Sequence, residues 1–247
     1  MRVLKLTLEY DGTEYVGWQR QAAGTSIQGL IEDALEPFEG RAVTVHGAGR
    51  TDAGVHALGQ VASVVVNASH DPATFQRALN AVLPEDVRIL RVEEAVPDFH
   101  ARFSATGKTY EYRIVNAPFV SAFVRRYAWH VPQPIDLDAM RRAATALVGT
   151  HDFSAFQTAG SVVSSTIRTI EAIDWRPGSG PADPLVMRVT GDGFLRHMVR
   201  SIIGTLIEVG LSRWPVERVG DVLAGRNRAA AGDTAPPAGL FLIDVRY

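Results

Sequence analysis

The 247-residue chain contains no cysteine. That absence excludes disulfides, Cys-ligated zinc, iron–sulfur clusters and thiolate nucleophiles together. No stretch approaches the ~18 consecutive apolar residues needed to cross a bilayer. The opening, MRVLKLTLEYDG, has none of the apolar core of a secretory signal. A soluble, cytoplasmic protein is expected. Charge of one sign is also lacking, because 25 Lys and Arg face 27 Asp and Glu for a net −2. With no global cationic field, a polyanionic partner has to be held by a local patch. Neither the G-K-[ST] ending of a phosphate loop nor an H-E-x-x-H zinc motif occurs. What remains is ordinary globular usage, 46% hydrophobic and 21% charged, which excludes wholesale disorder, collagen and coiled coil. At ~150 residues per domain the length lies between one and two domains.

Hydrophobic periodicity gives an α+β chain. Leu4, Leu6, Leu8 and Tyr10 alternate with polar residues and predict a half-buried strand ended by Asp11-Gly12. Thr25 with Gln28 predicts a capping box, followed by a helix on Ile27, Leu30, Ile31, Ala34 and Leu35 that stops at Pro37 and Gly40. Strands are expected near 42–47 and 59–66. Asp71-Pro72 opens a helix whose stripe is Phe75, Ala78, Leu79 and Val82, and a strand near 86–94 completes β-α-β-β-α-β. A second series follows: GKTYEYRIV as a strand, another near 124–130, and a helix from Leu137 to Val148 ended by Gly149. Strands near 165–176 and 184–191 come next, then a long helix near 194–210 and a shorter one opened by Trp214-Pro215. A Gly/Pro-rich loop at 226–238 precedes a last strand, GLFLIDVRY. The element order suggests two similar halves, 1–105 and 106–247.

The most unusual string is HGAGRTDAGVHA at 46–57. Its glycines permit positive φ and close approach of another molecule to the backbone. A dinucleotide fingerprint needs its third glycine earlier than this string supplies it. A metal pair of Asp52 with His56 needs a helix, which Gly54 opposes. A glycine turn with one Asp has a plain reading, a local Asx hydrogen bond. The sharper reading is a nucleophilic or basic carboxylate beside Arg50, whose guanidinium would keep it ionised. Glycosidase chemistry with paired carboxylates would need a second acid that this segment lacks.

Two further segments carry charge. In FHARFSATGKTYEYRIV the aromatics Phe99, Phe103, Tyr110 and Tyr112 interleave with His100, Arg102, Lys108 and Arg113. From Phe99 to His130 five Lys/Arg face one acid, Glu111. Basic residues among aromatics suit phosphate contact and base stacking. An amphipathic strand with Tyr110, Tyr112 and Ile114 in the core explains the same pattern. In GDGFLRHMVRSIIGTLIEVG, Arg196, His197 and Arg200 cluster at one end of an apolar helix, as a functional group of charges or as a solvated face, with His197 structural.

Together these segments resemble one family, the tRNA pseudouridine synthases of the TruA type, which isomerise uridines 38, 39 and 40 of the anticodon stem-loop. The resemblance runs nearly end to end, through EYDGTEYVGWQRQ, AGRTDAGVHA, FHARFSAT, KTYEYRI, GDGFLRHMVRSIIGTLIEVG and GLFLIDV. It implies a pseudouridine synthase fold of two similar α+β halves, with a mainly antiparallel mixed sheet and a central cleft. The first half, 1–105, would carry the catalytic Asp loop. The second, 106–247, would carry the stacking Tyr and the dimer- and RNA-facing helices. Asp52 matches the catalytic aspartate, Arg50 the arginine that fills the space of the flipped base, and Tyr110 the tyrosine that stacks under the uracil. Substrate contact is expected at Phe99, His100, Arg102, Phe103, Lys108, Arg126, Arg196 and Arg200. The family's basic residue just before the tyrosine is Thr109 here, with Lys108 one position back. No cofactor and no metal are expected, and the partners implied are tRNA and a second copy in a homodimer.

The chemistry agrees, because moving uracil from an N1–C1′ to a C5–C1′ bond adds and removes nothing. Two other classes stay open on the residues alone. A non-catalytic RNA-binding module would need the basic and aromatic patches but not Asp52. A carboxylate-dependent nucleoside hydrolase would need Asp52 but not the patches. For a chain of net −2 to hold RNA its charges must segregate. Residues 85–98 would face away, and Arg50, Arg102, Lys108, Arg125, Arg126, Arg196 and Arg200 would rim the cleft.

Overall fold

A computed structural model describes residues 1–158 and 163–247. Its contacts divide the chain into two units, Met1–Thr106 with Phe241–Tyr247, and Gly107–Leu240.

In the first unit, strand β1 (Arg2–Tyr10) puts Leu4, Leu6, Leu8 and Tyr10 into the core, as its alternation requires. Helix α1 (Ile27–Glu39) buries Ile27, Ile31 and Leu35. Its cap is Ser26, which accepts from the Gly29 amide, rather than Thr25. Pro37 lies inside the helix and does not stop it. The amide it lacks would serve only the last turn, and Gly40, with φ 63°, is the terminator. Strand β2 is only His46–Gly47. The extended stretch before it is not a ladder strand because α1 side chains take its hydrogen bonds. Glu32 accepts from the Val45 amide and Gln28 donates to the Val45 carbonyl.

Strand β3 (His56–Val66) runs antiparallel to β1, with Leu4 opposite Val64. Helix α2 (Pro72–Val82) is capped by Asp71 and buries Phe75 and Leu79. Val82 is 65% exposed, because the chain turns extended at Leu83 and that residue takes the core position instead. Strand β4 (Val87–Ala95) covers the other edge of β1, also antiparallel.

In the second unit, β5 (Gly107–Val115) is joined by β6, only Trp129–His130. Residues 121–127 form successive turns closed on the Ser121 and Val124 carbonyls, which shortens the expected strand. Helix α3 (Leu137–Ala144) passes through a 3-10 turn to Gly149, and a short strand that periodicity did not reveal follows, β7 (Gly149–Asp152). Strands β8 (Ile167–Arg176) and β9 (Leu185–Gly191) complete an antiparallel order β5-β9-β8-β7.

Helix α4 (Met198–Gly210) is almost wholly buried and starts four residues later than its apolar pattern suggests. His197 has φ 63°, which an α-helix cannot contain. Helix α5 (Arg218–Gly225) follows. The 226–238 segment is held on α4: the Gly232 amide donates to Thr205 Oγ1 at 3.0 Å and the Ala235 amide to the Arg200 carbonyl at 3.1 Å. The chain ends in β10 (Leu240–Arg246), which lies parallel to β3 in the first unit, Phe241 opposite His56. The architecture is α+β with a mainly antiparallel sheet, as the sequence predicts. No described helix is long and apolar enough to cross a membrane.

Candidate active site

The string around Asp52 forms a loop between β2 and β3. Its tip is a β-turn in which the Val55 amide donates to the Asp52 carbonyl at 3.1 Å. Gly54 is the third residue of that turn and has φ 76°. Glycine at the third position, with φ > 0, is what a type II turn demands. This local rule accounts for D-A-G-V, and it also removes the helix that an Asp52–His56 metal pair would need. His56 points instead into the core, where its ring lies on Phe241 with centroids 4.6 Å apart and its Nδ1 accepts from the Gly12 amide. Among the described residues no group of three or more His, Asp or Glu is placed to hold a metal ion.

The residues before the turn are fixed more firmly than the turn itself. Thr51 is buried, and its Oγ1 lies 2.8 Å from the Tyr10 hydroxyl. The Thr51 carbonyl accepts from the Trp18 amide at 3.0 Å. Gln60, fully buried, donates to the Gly49 carbonyl at 2.8 Å and lies 3.4 Å from the Tyr10 hydroxyl. Burial pushes the Tyr10 phenol up to about 12, against the bonds with Thr51 and Gln60, which lower it. The segment read from sequence as an aromatic, Gln-rich loop is therefore a cradle. Gly17 has φ 100°, and a Cβ there would lie 2.5 Å from the Thr51 carbonyl oxygen. Only glycine lets the cradle close on the Thr51–Ala53 backbone.

With Thr51 anchored, Asp52 is left partly exposed at the turn and Arg50 exposed on the other side of Thr51. Tyr15, in the same cradle, accepts from the Gly54 amide through its carbonyl and donates its hydroxyl to Asp86. Burial and that carboxylate raise its pKa. Of the acidic segment, Glu93 pairs with Arg91 and Glu94 with Arg2.

FHARFSAT also lies in the first unit. The Ala101 amide donates to Ser63 Oγ on β3, and the Tyr247 hydroxyl donates to the Ala101 carbonyl. Phe99 packs on Tyr247, with centroids 5.0 Å apart, so its ring is partly committed to that contact. Arg102 and Phe103 are exposed and His100 half-buried.

The second unit holds the remaining candidates. Tyr110, Tyr112 and Ile114 all lie on the buried face of β5. Tyr112 is a core residue whose hydroxyl donates to the Pro236 carbonyl, and burial raises its pKa. Tyr110 meets the ring of Phe194 edge to face at 5.2 Å. Lys108 is half-buried, and Arg126 and Arg196 are exposed. Arg200 donates through Nε to the Ala235 carbonyl at 2.7 Å, so it also holds the 226–238 segment.

Sequence reasoning passed over Tyr10, Gly17, Trp18, Gln60 and Thr51. Tyr10 fitted a core strand pattern, and the Gly17–Trp18 pair fitted any loop. The available signal was the unusual density of Gly and aromatics between a strand and its helix.

A family model described as tRNA pseudouridine synthase matches residues 7–104 and 143–247. The chain is 44% identical over its whole length to the tRNA pseudouridine synthase A of Acetivibrio thermocellus, covering all of that protein. It is 46% identical to that of Sinorhizobium medicae, over 98% of both chains. A solved Cbf5-Nop10-Gar1 complex overlays 97% of this chain and 48% of that one at 12% identity, with a TM-score of 0.42. On the match of family model and full-length relatives, this chain belongs to the tRNA pseudouridine synthase family.

Proposed function

We propose that the protein isomerises uridine to pseudouridine in tRNA, at positions 38, 39 and/or 40 of the anticodon stem-loop, as a cytoplasmic homodimer without a cofactor. The N1–C1′ bond breaks and leaves its electron pair on N1, the uracil turns, and C5 joins C1′. The C5 proton leaves to solvent and N1 takes one up, so product and substrate are isomers.

Asp52 attacks C1′ of the ribose, expelling N1 and being displaced in turn by C5, or adds to C6 of the uracil and is eliminated as the C5 proton leaves. Its turn presents the carboxylate, while Tyr10, Gly17, Trp18 and Gln60 hold the backbone behind it. Pre-organisation of that kind is what a nucleophile needs. Extracting the base from its stack costs a few kcal/mol. Arg50, exposed and two residues from Asp52, fills the space the base leaves. Tyr110 stacks on the loose uracil. Lys108, Arg102, Arg126, Arg196 and Arg200 meet phosphates.

The observation that carries the reading is the anchored Thr51 beside an accessible Asp52. The test is incubation with tRNA tritiated at uridine C5, without metal or nucleotide, followed by mass mapping. Tritium release with pseudouridine at 38–40 is expected. Binding without release would leave only an RNA-binding module, and free uracil would indicate a hydrolase.

A further inference from the structure

Four residues before Arg50, on β2, the exposed ring of His46 stacks on His100 with centroids 4.8 Å apart and 29° between planes. His100 in turn meets Phe103 at 4.4 Å, and the Arg102 guanidinium lies 5.5 Å over the Phe103 ring. Three rings and one cation thus form a row on the surface of the first unit. The turn that carries His100, Arg102 and Phe103 does not need His46, although His100 Nδ1 helps to hold it by accepting from the Arg102 and Phe103 amides. It is held by Ser63 on the Ala101 amide, by Tyr247 on the Ala101 carbonyl, and by the Ser104 hydroxyl and amide on the His100 backbone. Phe103 is 75% exposed, and a ring so placed contributes little to folding.

The chemistry of the row favours a base over a phosphate. His100 Nδ1 accepts from the Arg102 amide at 3.1 Å, so it carries no proton and leaves Nε2 as the donor. Burial, then the electrostatic influence of the neighbouring His46 and Arg102, hold the His100 pKa below its ordinary value. A neutral ring stacks on nucleobases of any sequence, and Arg102 supplies the one cation for the adjoining phosphate. Position follows from chain length, because four residues reach at most about 14 Å, so His46 lies within that distance of Arg50.

We propose that His46, stacked on His100 and flanked by Phe103, forms a platform for an unstacked nucleotide next to the target uridine in the same RNA strand. His46 is then a substrate-positioning residue. The proposal rests on the isomerase reading given above.

The experiment compares wild type, His46→Ala and His46→Phe in tritium release from tRNA, in tRNA binding by filter retention, and in thermal melting. His46→Ala is expected to raise KM and Kd by about five- to tenfold, the low end for one stacked base. Its kcat and Tm should match wild type, and His46→Phe should restore KM and Kd. Unchanged KM and Kd in His46→Ala would overturn the platform. So would a lowered Tm with no rescue by Phe, which would make His46 a fold residue. A wild type that binds tRNA but releases no tritium would overturn the isomerase reading instead, and the binding arm would still decide the platform.

Discussion

The hydroxyl oxygens of Tyr10 and Thr51 stand 2.8 Å apart in the core, one residue before Asp52. Through this contact the C-terminal end of β1 sets the position of the reactive loop. Tyr10→Phe leaves the buried Thr51 hydroxyl without that partner, at a cost of about 1–3 kcal/mol. Because loop position is what the bond secures, kcat should fall more than KM rises. The effect also has a pH signature. The Tyr10 pKa is about 12 in the folded chain, above the ~10 of an unfolded tyrosine. The folded state holds the proton more tightly, so this contribution is whole below pH ~10 and is lost as pH rises toward 12. Denaturant melts should show the gap between wild type and Tyr10→Phe narrowing across that window. A gap that is constant with pH would contradict the assignment.

Gly17 and Gly40 separate conformational strain from steric contact. Both have positive φ, but a Cβ at Gly40 meets nothing within 4 Å, whereas one at Gly17 meets the Thr51 carbonyl at 2.5 Å. Gly40→Ala should cost about 1–2 kcal/mol from backbone strain alone and leave turnover intact. Gly17→Ala should cost at least as much and also displace the Asp52 backbone. Misplacement of about 1 Å at a reacting group can cost ~10²-fold in rate. Equal turnover in the two variants, measured by tritium release, would remove the cradle from the mechanism.

Asp52 carries little packing, being a partly exposed turn residue. Asp52→Ala should therefore melt within about 0.5 kcal/mol of wild type, the usual range for surface changes. It should bind tRNA and make no pseudouridine. Retention of more than a few per cent of the wild-type rate would sink its role as the nucleophile.

How far the sequence reveals this molecule depends on how local the deciding physics is. The turn D-A-G-V is legible because Gly54 answers a three-residue rule, and the β1 core face because alternation is a two-residue rule. The 42–47 stretch misleads because Glu32 and Gln28, distant in sequence, take the hydrogen bonds of Val45. The late start of α4 is hidden because its apolar stripe continues through His197 while the backbone there turns left-handed. The cradle was the larger omission. Tyr10 and Thr51 are 41 residues apart, and no periodicity links them. Asp52 and Tyr110 stood out through the family resemblance, whereas His46 has no such signal and emerges only from the ring geometry.

Net charge −2 requires that RNA binding come from local cations. Arg126 is exposed on the stretch from Phe99 to His130, where five Lys/Arg face one acid, and Arg91, also exposed, lies on strand β4 of the acid-rich 85–98 segment with Glu93 at 2.9 Å. The two therefore serve as test and control. Each phosphate neutralised adds about 0.7–0.9 to the slope of log K against log salt. Wild-type tRNA affinity should fall by roughly tenfold or more between about 50 and 200 mM KCl, as even a few phosphate contacts require. Arg126→Ala should reduce the slope by about one, and Arg91→Ala should leave it unchanged. Equal slopes in all three proteins would mean that Arg126 is a solvated surface charge. A flat wild-type slope would mean that phosphates contribute nothing to recognition, and the rim of basic residues would lose its role.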